Sequence, residues 1–183
     1  FDRGALGLSW LSRMAGQASQ AHTGAVGAKL LYPDGHTIQH CGIINNDHSP
    51  VHAFIGMSDD GFYYFNRNAI EYDWLAVTGA CLMVSAEKFN EVGGFDEDLR
   101  VAYNDVDLCL KLLEKGYYNI VRTDVIIKHW ESISRGVDHE DDEKMKRLDA
   151  EREKLTKAHP SFMERDPFYN PNFTKKSVDF SFD

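Results

Sequence analysis

An almost continuous apolar segment, LAVTGACLMVS, occupies residues 75–85 near the middle of the chain. A short apolar run of this kind is typical of a strand that is buried on both faces of a sheet. Such a strand needs helices to cover it, so the segment favours an α/β fold. Helices are predicted before it in the sequence, over residues 8–20, and after it, over residues 86–92 and 104–115.

Further strands are predicted before and after this segment. Residues 24–32 and 37–44 flank a Pro-Asp-Gly turn at residues 33–35, in which proline sets φ and glycine accepts a positive φ. These two segments therefore predict a hairpin. Two short strands are predicted over residues 117–122 and 125–129.

Three other segments have a different character. Residues 45–72 are rich in small polar and aromatic residues without a regular period, and predict a long loop of the kind that is often functional. Residues 138–157 are densely charged and predict one surface helix. Residues 166–183 predict an extended tail held by its aromatic side chains. The thin apolar seam of the charged helix consists of Met145, Leu148 and Leu155.

The helix predicted over residues 104–115 has the clearest end signals. Asn104 suits the N-cap position, Asp105 and Asp107 complement the positive end of the helix dipole, and Gly116 ends the helix. From the residues alone, this structural role explains both aspartates better than catalysis does. The predicted buried side consists of Leu108, Leu112 and either Val106 or Cys109.

Composition excludes several classes of protein. The chain has 183 residues, of which 43% are hydrophobic and 27% charged, as in a globular domain with a real core. Its formal net charge of −9 is opposite to the basic surface that nucleic-acid binding requires, so no nucleic-acid partner is expected. Cys41, Cys81 and Cys109 are odd in number and lie among apolar neighbours, which predicts buried thiols in a reducing compartment.

Four motifs, in this order and spacing, resemble the C-terminal half of family 2 glycosyltransferases with the GT-A fold. They are VGAKLLYPDGHTIQHCGI at residues 26–43, the segment from VTGACLMVS through GGFDE to YNDVDLCLKLLEKG within residues 77–123, IKHWESISRG at residues 127–136, and DPFYNPNFT at residues 166–174. The resemblance is greatest to bacterial enzymes that build rhamnose-containing and other cell-surface polysaccharides, and it covers residues 10–173.

This resemblance implies a catalytic residue. Inverting enzymes of the family place an acidic general base at the start of the helix after the GGFDE loop, and the matching residue is Asp105. Many relatives have Glu where this chain has Asn104, which is expected to contact the substrate instead. Thr78, Gly79 and Ala80 match the segment that lines the pocket for the donor sugar and the acceptor.

The resemblance also implies a divalent metal, Mn or Mg, that holds the diphosphate of the nucleotide sugar. His129 matches the histidine that completes the metal's coordination, and the Arg135 guanidinium is expected to help neutralise the diphosphate. Asp96 and Glu97 of the GGFDE loop are expected to contact substrate.

The fold that the resemblance implies is the C-terminal part of a GT-A domain, with a mixed sheet and flanking helices, lacking the nucleotide-binding half. Residues 1–136 are then the acceptor and catalytic half, and residues 137–183 are a charged helix and tail packed on it. The expected partners are a nucleotide-sugar donor and a glycan or lipid-linked acceptor. The expected location is the cytoplasm or the inner face of the membrane. Without the nucleotide-binding half, self-association and an inactive chain are expected.

Two other functions compete with this interpretation. His36, His40, His48 and His52 are spaced four apart in two pairs, as in zinc hydrolases, but residues four apart on a strand lie about 13 Å from each other. The alternative that stays open is a non-catalytic carbohydrate-binding or assembly module that retains part of the fold.

Overall fold

The structure, a computed structural model, describes residues 9–47, 49–130 and 142–182. Its strands are β1 (Thr23–Leu31), β2 (Ile38–His40), β3 (Ile43–Asn46), β4 (Ser49–His52), β5 (Asp73–Trp74), β6 (Leu82–Met83) and β7 (Tyr118–Lys128). Its α-helices are α1 (Ser9–Ala18), α2 (Ala86–Glu91), α3 (Asn104–Glu114), α4 (Asp142–Ala158) and α5 (Pro160–Glu164).

The main sheet has the strand order β2-β1-β7-β5, and β6 also pairs with β1. The central pair, β1 and β7, is parallel, whereas β2, β5 and β6 are antiparallel to their neighbours. The α/β fold with a mixed sheet and flanking helices that the sequence predicts is therefore confirmed. A separate hairpin is formed by β3 and β4.

The predicted hairpin around residues 33–35 is present, but its second strand is shorter than predicted. β2 ends at His40, and the chain bends at Gly42, whose φ of 117° is accessible to glycine. A Cβ atom at this position would lie 2.1 Å from the Trp74 indole, so only glycine lets the chain pass the buried ring. Ile43 and Ile44, the end of the predicted second strand, instead begin β3. β3 pairs with β4, which lies inside the region predicted to be a loop.

The prediction of one strand over residues 75–85 is wrong. Leu75, Ala76 and Val77 are buried, but the chain then turns into a 3₁₀-helix at Gly79–Cys81, and only Leu82–Met83 pairs with β1. The cause is that side chains bind the backbone donors a strand would use. The Thr78 hydroxyl accepts a hydrogen bond from the Ala80 N–H, and the Gly79 N–H donates to a carboxylate.

The two short strands predicted over residues 117–122 and 125–129 are one strand, β7. It pairs with β1 along its length, with register irregularities between Thr23 and Val26 and between Ala28 and Lys29. An irregularity of this kind absorbs extra residues without ending the strand. Thr123 and Asp124, which separate the two predicted strands, lie at the irregularity next to Lys29.

Helix α3 matches its prediction over most of its length. Gly116 follows its C-terminus with φ of 85°. The buried side is larger than predicted, because Val106 and Cys109 are both buried and Leu110 is buried as well. The buried apolar residues are Val106, Leu108, Cys109, Leu110 and Leu112.

The C-terminal segments pack on the core that contains α3. Leu155 of α4 is fully buried, and Tyr169, Phe173 and Phe180 of the tail are buried in the same apolar cluster as Trp74. The prediction that aromatic side chains hold the tail is therefore confirmed. Phe180 contacts Tyr64, Phe54 and Phe173 among other rings.

Cys41 and Cys109 are buried free thiols, as predicted, and Cys81 is half-buried. Burial raises the pKa of Cys41 to about 12, so this thiol stays protonated at neutral pH. Among the described residues, no helix has both the length and the apolar character required to cross a membrane.

Candidate functional site

The start of α3 differs from the prediction in one respect. The N-cap residue is Tyr103, which has a left-handed backbone with φ of 63° and no side-chain capping bond. Asn104 is therefore the first helical residue instead of the cap. A non-glycine residue in this conformation stores backbone strain, a property that is concentrated at functional sites. The bend directs the first turn of α3, with Asp105, towards the loop that follows residue 77.

Asp105 contacts this loop directly. Its Oδ2 atom accepts a hydrogen bond from the Gly79 N–H at 2.6 Å, and its Oδ1 atom accepts one from the Val106 N–H at 2.8 Å. A Cβ atom on residue 79 would lie 3.3 Å from the Asp105 Cβ and 3.4 Å from Oδ2. The absence of a side chain at Gly79 therefore permits the close approach. The structure thus brings together two predicted site residues that are 26 positions apart in the sequence.

The rest of the loop is tied to α3. The Val77 N–H donates to the Cys109 sulfur at 3.5 Å, and that thiol contacts the Val77 carbonyl at 3.8 Å. The Asn119 side-chain amide donates to the carbonyl oxygens of Leu75 and Cys109, each at 3.0 Å. These buried contacts fix the position of the loop relative to the helix that carries Asp105.

A cavity of about 290 Å³ lies beside this loop. It brings together Thr78 and Ala80 from the loop and His129 from the end of β7, three residues that the family resemblance had selected. Among the described residues, Asp105 lies outside the lining and is joined to it through Gly79. The lining consists of Leu30, Gln39, Val51, His52, Ile55, Thr78, Ala80 and His129.

Gln39 orients His129. The His129 Nδ1 atom lies 2.7 Å from the Gln39 Oε1 atom, and the Gln39 amide nitrogen lies 3.5 Å from the His129 carbonyl oxygen. Because an amide oxygen only accepts hydrogen bonds, Nδ1 of His129 carries the proton. Metal-binding histidines are held in this way, with one ring nitrogen donating to an oxygen.

Two further histidines, which the resemblance did not select, lie near the cavity. His52 lines it, and its Nδ1 atom lies 2.9 Å from the Gln39 carbonyl oxygen. His40 is fully buried, contacts the His52 ring edge-to-face at 4.9 Å, and accepts a hydrogen bond from the Thr78 N–H at 3.4 Å. Burial, and secondarily the nearby His52, holds the pKa of His40 well below its ordinary value, so this ring is neutral.

The spacing of these histidines had suggested only a zinc site, which a hairpin excludes. The missed feature is the bend at Gly42. His40 and His52 are the last residues of β2 and β4, on either side of this bend, and their rings lie 4.9 Å apart. His36 lies exposed on the turn after β1, and His48 lies outside the described residues.

The GGFDE loop lies against α4. The Asp96 carboxylate binds the Lys154 ammonium at 2.8 Å, and this ion pair lowers the pKa of Asp96. Glu97 is exposed. Within the part of the chain that the structure describes, neither residue lines the cavity. Arg135 lies outside the described residues.

His129 and the other described residues would supply only part of a metal's coordination. Among the described residues, no group of three or more His, Cys, Asp or Glu side chains is arranged to bind a metal ion. His129, with its proton fixed on Nδ1, has the chemistry of a single ligand. It therefore fits the role of one ligand in a site completed by other donors.

Comparison with known proteins gives two informative similarities. The chain is 39% identical over 174 residues to the uncharacterized protein y4gI of Sinorhizobium fredii, and 33% identical over 182 residues to the O-antigen biosynthesis protein RfbC of Myxococcus xanthus. Each alignment covers 93% of this chain, but the chain spans only 19% and 13% of the length of these relatives, respectively. No family model matches the sequence.

Proposed function

We propose that this chain is the acceptor-binding and catalytic half of a GT-A glycosyltransferase of family 2. The proposed reaction transfers a sugar, with inversion, from a nucleotide-sugar donor to a hydroxyl of a glycan or lipid-linked saccharide. It serves cell-surface polysaccharide synthesis in the cytoplasm. The nucleotide-binding half of the site is supplied from outside residues 9–182.

The contact between Gly79 and Asp105 is the observation that carries this proposal. It places a carboxylate at the start of a helix, next to a loop whose small residues open onto a cavity. In the proposed step the acceptor oxygen bonds to the anomeric carbon while the bond from that carbon to the diphosphate breaks. Asp105 takes the proton of the acceptor hydroxyl, and the nucleoside diphosphate leaves with the bond's electron pair.

The geometry suits a general base. Oδ2 is oriented by a backbone N–H at 2.6 Å, so the carboxylate is held in one orientation relative to the loop. A base must lie within hydrogen-bond reach of the proton it removes. A carboxylate that is already oriented loses less entropy when it reaches the reactive geometry. The residue is half-buried, so an acceptor hydroxyl can reach it.

His129 is the proposed metal ligand on this half of the site, with Gln39 holding its ring. A bound divalent ion would neutralise the negative charge that develops on the departing diphosphate. Arg135 is proposed to contribute a positive charge to the same group. Thr78, Gly79, Ala80, Asp96, Glu97 and Asn104 are proposed to contact substrate.

The relatives support this class of function. The name of the Myxococcus xanthus protein assigns it to O-antigen biosynthesis, and the aligned region includes all the proposed site residues of this chain. Sugar transfer by inversion is one step of polysaccharide synthesis that uses a general base next to a bound sugar.

The test is the Asp105→Asn variant of the complete product of the gene that encodes this chain. Its kcat should fall by at least about 10²-fold, the usual contribution of a general base, while the affinity for the donor stays nearly constant. The matched control is Asp149→Asn, which makes the same change at an exposed position of α4. Thermal unfolding of both variants checks that they are folded.

Near-normal turnover of Asp105→Asn would show that this aspartate only stabilises the start of α3. Glycan binding by the wild-type protein without transfer from any nucleotide sugar would instead favour a non-catalytic carbohydrate-binding module.

A further inference from the structure

We propose that His52 binds the sugar that occupies the 290 Å³ cavity, by accepting a hydrogen bond from one of its hydroxyl groups through Nε2. This assignment rests on the proposed function and adds to it a residue that determines sugar specificity. The same chemistry would serve the donor's sugar or the acceptor's sugar, and the experiment below distinguishes them.

The protonation of the His52 ring follows from its neighbours. Its Nδ1 atom lies 2.9 Å from the backbone carbonyl oxygen of Gln39, and a carbonyl only accepts hydrogen bonds. Nδ1 is therefore the donor, and in the neutral ring Nε2 carries a lone pair. Within the described part of the chain, no hydrogen-bond partner is present for Nε2. A hydroxyl group is the complementary donor.

The His52 ring is also held rigidly. Its backbone pairs with Ile43 in the β3–β4 hairpin, and His40 packs edge-to-face against it with an interplanar angle of 74°. His40 is neutral and completely buried, so it packs against the His52 ring without itself contacting solvent. A side chain fixed in this way loses little conformational entropy when it binds a ligand.

The rest of the lining suits a sugar as the partner of His52. Leu30, Val51 and Ile55 form aliphatic walls, which suit the C–H faces of a sugar ring. An apolar cavity with a few fixed polar groups is the usual form of a small-molecule site, and this volume is near the lower limit of about 300 Å³. It suits a single sugar ring.

The experiment uses two substitutions that separate structure from binding. In His52→Asn, the amide nitrogen replaces Nδ1 and keeps the bond to the Gln39 carbonyl, but the acceptor at the Nε2 position is lost. In His52→Gln, the longer side chain places an amide oxygen near the Nε2 position. His36→Asn, on the exposed turn after β1, is the control.

Kinetics are measured on the complete gene product, first with the donor varied and then with the acceptor varied. His52→Asn should raise one of the two KM values about 2- to 13-fold, the effect of losing one neutral hydrogen bond, with kcat nearly unchanged. His52→Gln should recover part of this loss, and His36→Asn should show none. The substrate whose KM rises is the one whose sugar occupies the cavity.

Unchanged KM values in His52→Asn, or a larger defect in His52→Gln than in His52→Asn, would overturn the assignment. Nitrogen-15 spectra of the histidine side chains in the 183-residue chain give a test without turnover, because they show which ring nitrogen is protonated. A proton on Nε2 of His52 would also overturn the assignment. Neither result affects the proposed function, which the Asp105→Asn variant tests separately.

Discussion

Asn119 joins three elements of the fold, and replacing it should have a large effect on stability. Its side chain is fully buried. Its Oδ1 atom accepts a hydrogen bond from the Ala25 N–H of β1 at 3.1 Å, and its amide nitrogen donates to Leu75 and to Cys109, each at 3.0 Å. The Asn119→Leu variant removes all three hydrogen bonds and leaves their partners buried.

The magnitude follows from counting these partners. The Cys109 carbonyl lies inside α3 and keeps its helical hydrogen bond from the N–H of Leu113. The Ala25 N–H and the Leu75 carbonyl lose the side-chain group that binds them, and each buried polar group left unsatisfied costs about 1–3 kcal/mol. The free energy of unfolding should therefore fall by at least about 2 kcal/mol, a substantial part of the roughly 5–15 kcal/mol available to a domain. Asn119→Asp should be at least as damaging, because a carboxylate oxygen would then face two carbonyl oxygens.

Urea unfolding of the 183-residue chain, followed by tryptophan fluorescence, measures this effect. The control is Asn90→Leu, at an exposed position of α2, where a substitution should change the free energy of unfolding by no more than about 0.5 kcal/mol. A loss below about 1 kcal/mol in Asn119→Leu would refute the reasoning. It would mean that water or a shifted backbone satisfies the Ala25 N–H and the Leu75 carbonyl.

Two further predictions concern the site and the C-terminal segments. Gly79→Ala should lower kcat of the complete gene product by a factor of roughly 3–10, because the new Cβ displaces Asp105 by a few tenths of an ångström. The control is Gly16→Ala, because no atom lies within 4 Å of a Cβ added at Gly16. Equal kcat values for the two variants would contradict the prediction. The second prediction concerns His159, which binds Asp107 at 3.0 Å and Glu114 at 2.7 Å. Burial lowers the pKa of His159, but these carboxylates raise it by more, whereas in Asp107 burial raises the pKa and the bonds from His159 and Lys111 lower it by more. The stabilisation from His159 should therefore be complete below its ordinary pKa of 6.5, and it should decline as the pH rises through its folded-state pKa. The stabilisation from Asp107 should be complete above its ordinary pKa of 3.8, and it should decline as the pH falls through the folded-state pKa of Asp107. Urea unfolding across this pH range should show the decline on the alkaline side, and His159→Gln should flatten it; an unchanged slope would count against the role of His159.

Local signals in the sequence were enough to predict some elements of this fold. The Pro-Asp-Gly turn after β1 and Gly116 after α3 act through backbone conformation at their own positions, so neighbours elsewhere in the chain do not change their effect. The parallel pairing of β1 with β7 depends on residues far apart in sequence, and neither strand alone specifies it.

The apolar run at residues 75–85 shows why other predictions failed. Hydrophobicity correctly indicated that its first residues are buried, but burial does not determine hydrogen bonding. The Gly79 N–H is taken by Asp105, 26 positions later, and this contact prevents a continuous strand. The same contact is central to the candidate site, where a conflict between local preference and tertiary structure is expected.

The histidines show what their spacing in the sequence could not predict about the cavity. Their four-residue spacing carried no information about Gln39, whose side chain and backbone orient two different imidazole rings in one cavity. The roles proposed for Asp105 and His129 came from a family resemblance. The structure adds their surroundings, which composition and spacing do not contain.

The parallel pairing of β1 with β7 has a consequence for synthesis of the protein. Ala25 and Asn119, which bond across this pair, are 94 positions apart, so β1 leaves the ribosome well before its central partner. At about 5–20 residues per second, the interval is on the order of 5–20 s. During that time, the fully buried strand Thr23–Leu31 has only β2 and β6 as neighbours on one edge. Its other edge is a site for binding by chaperones or for aggregation until residues 118–128 emerge.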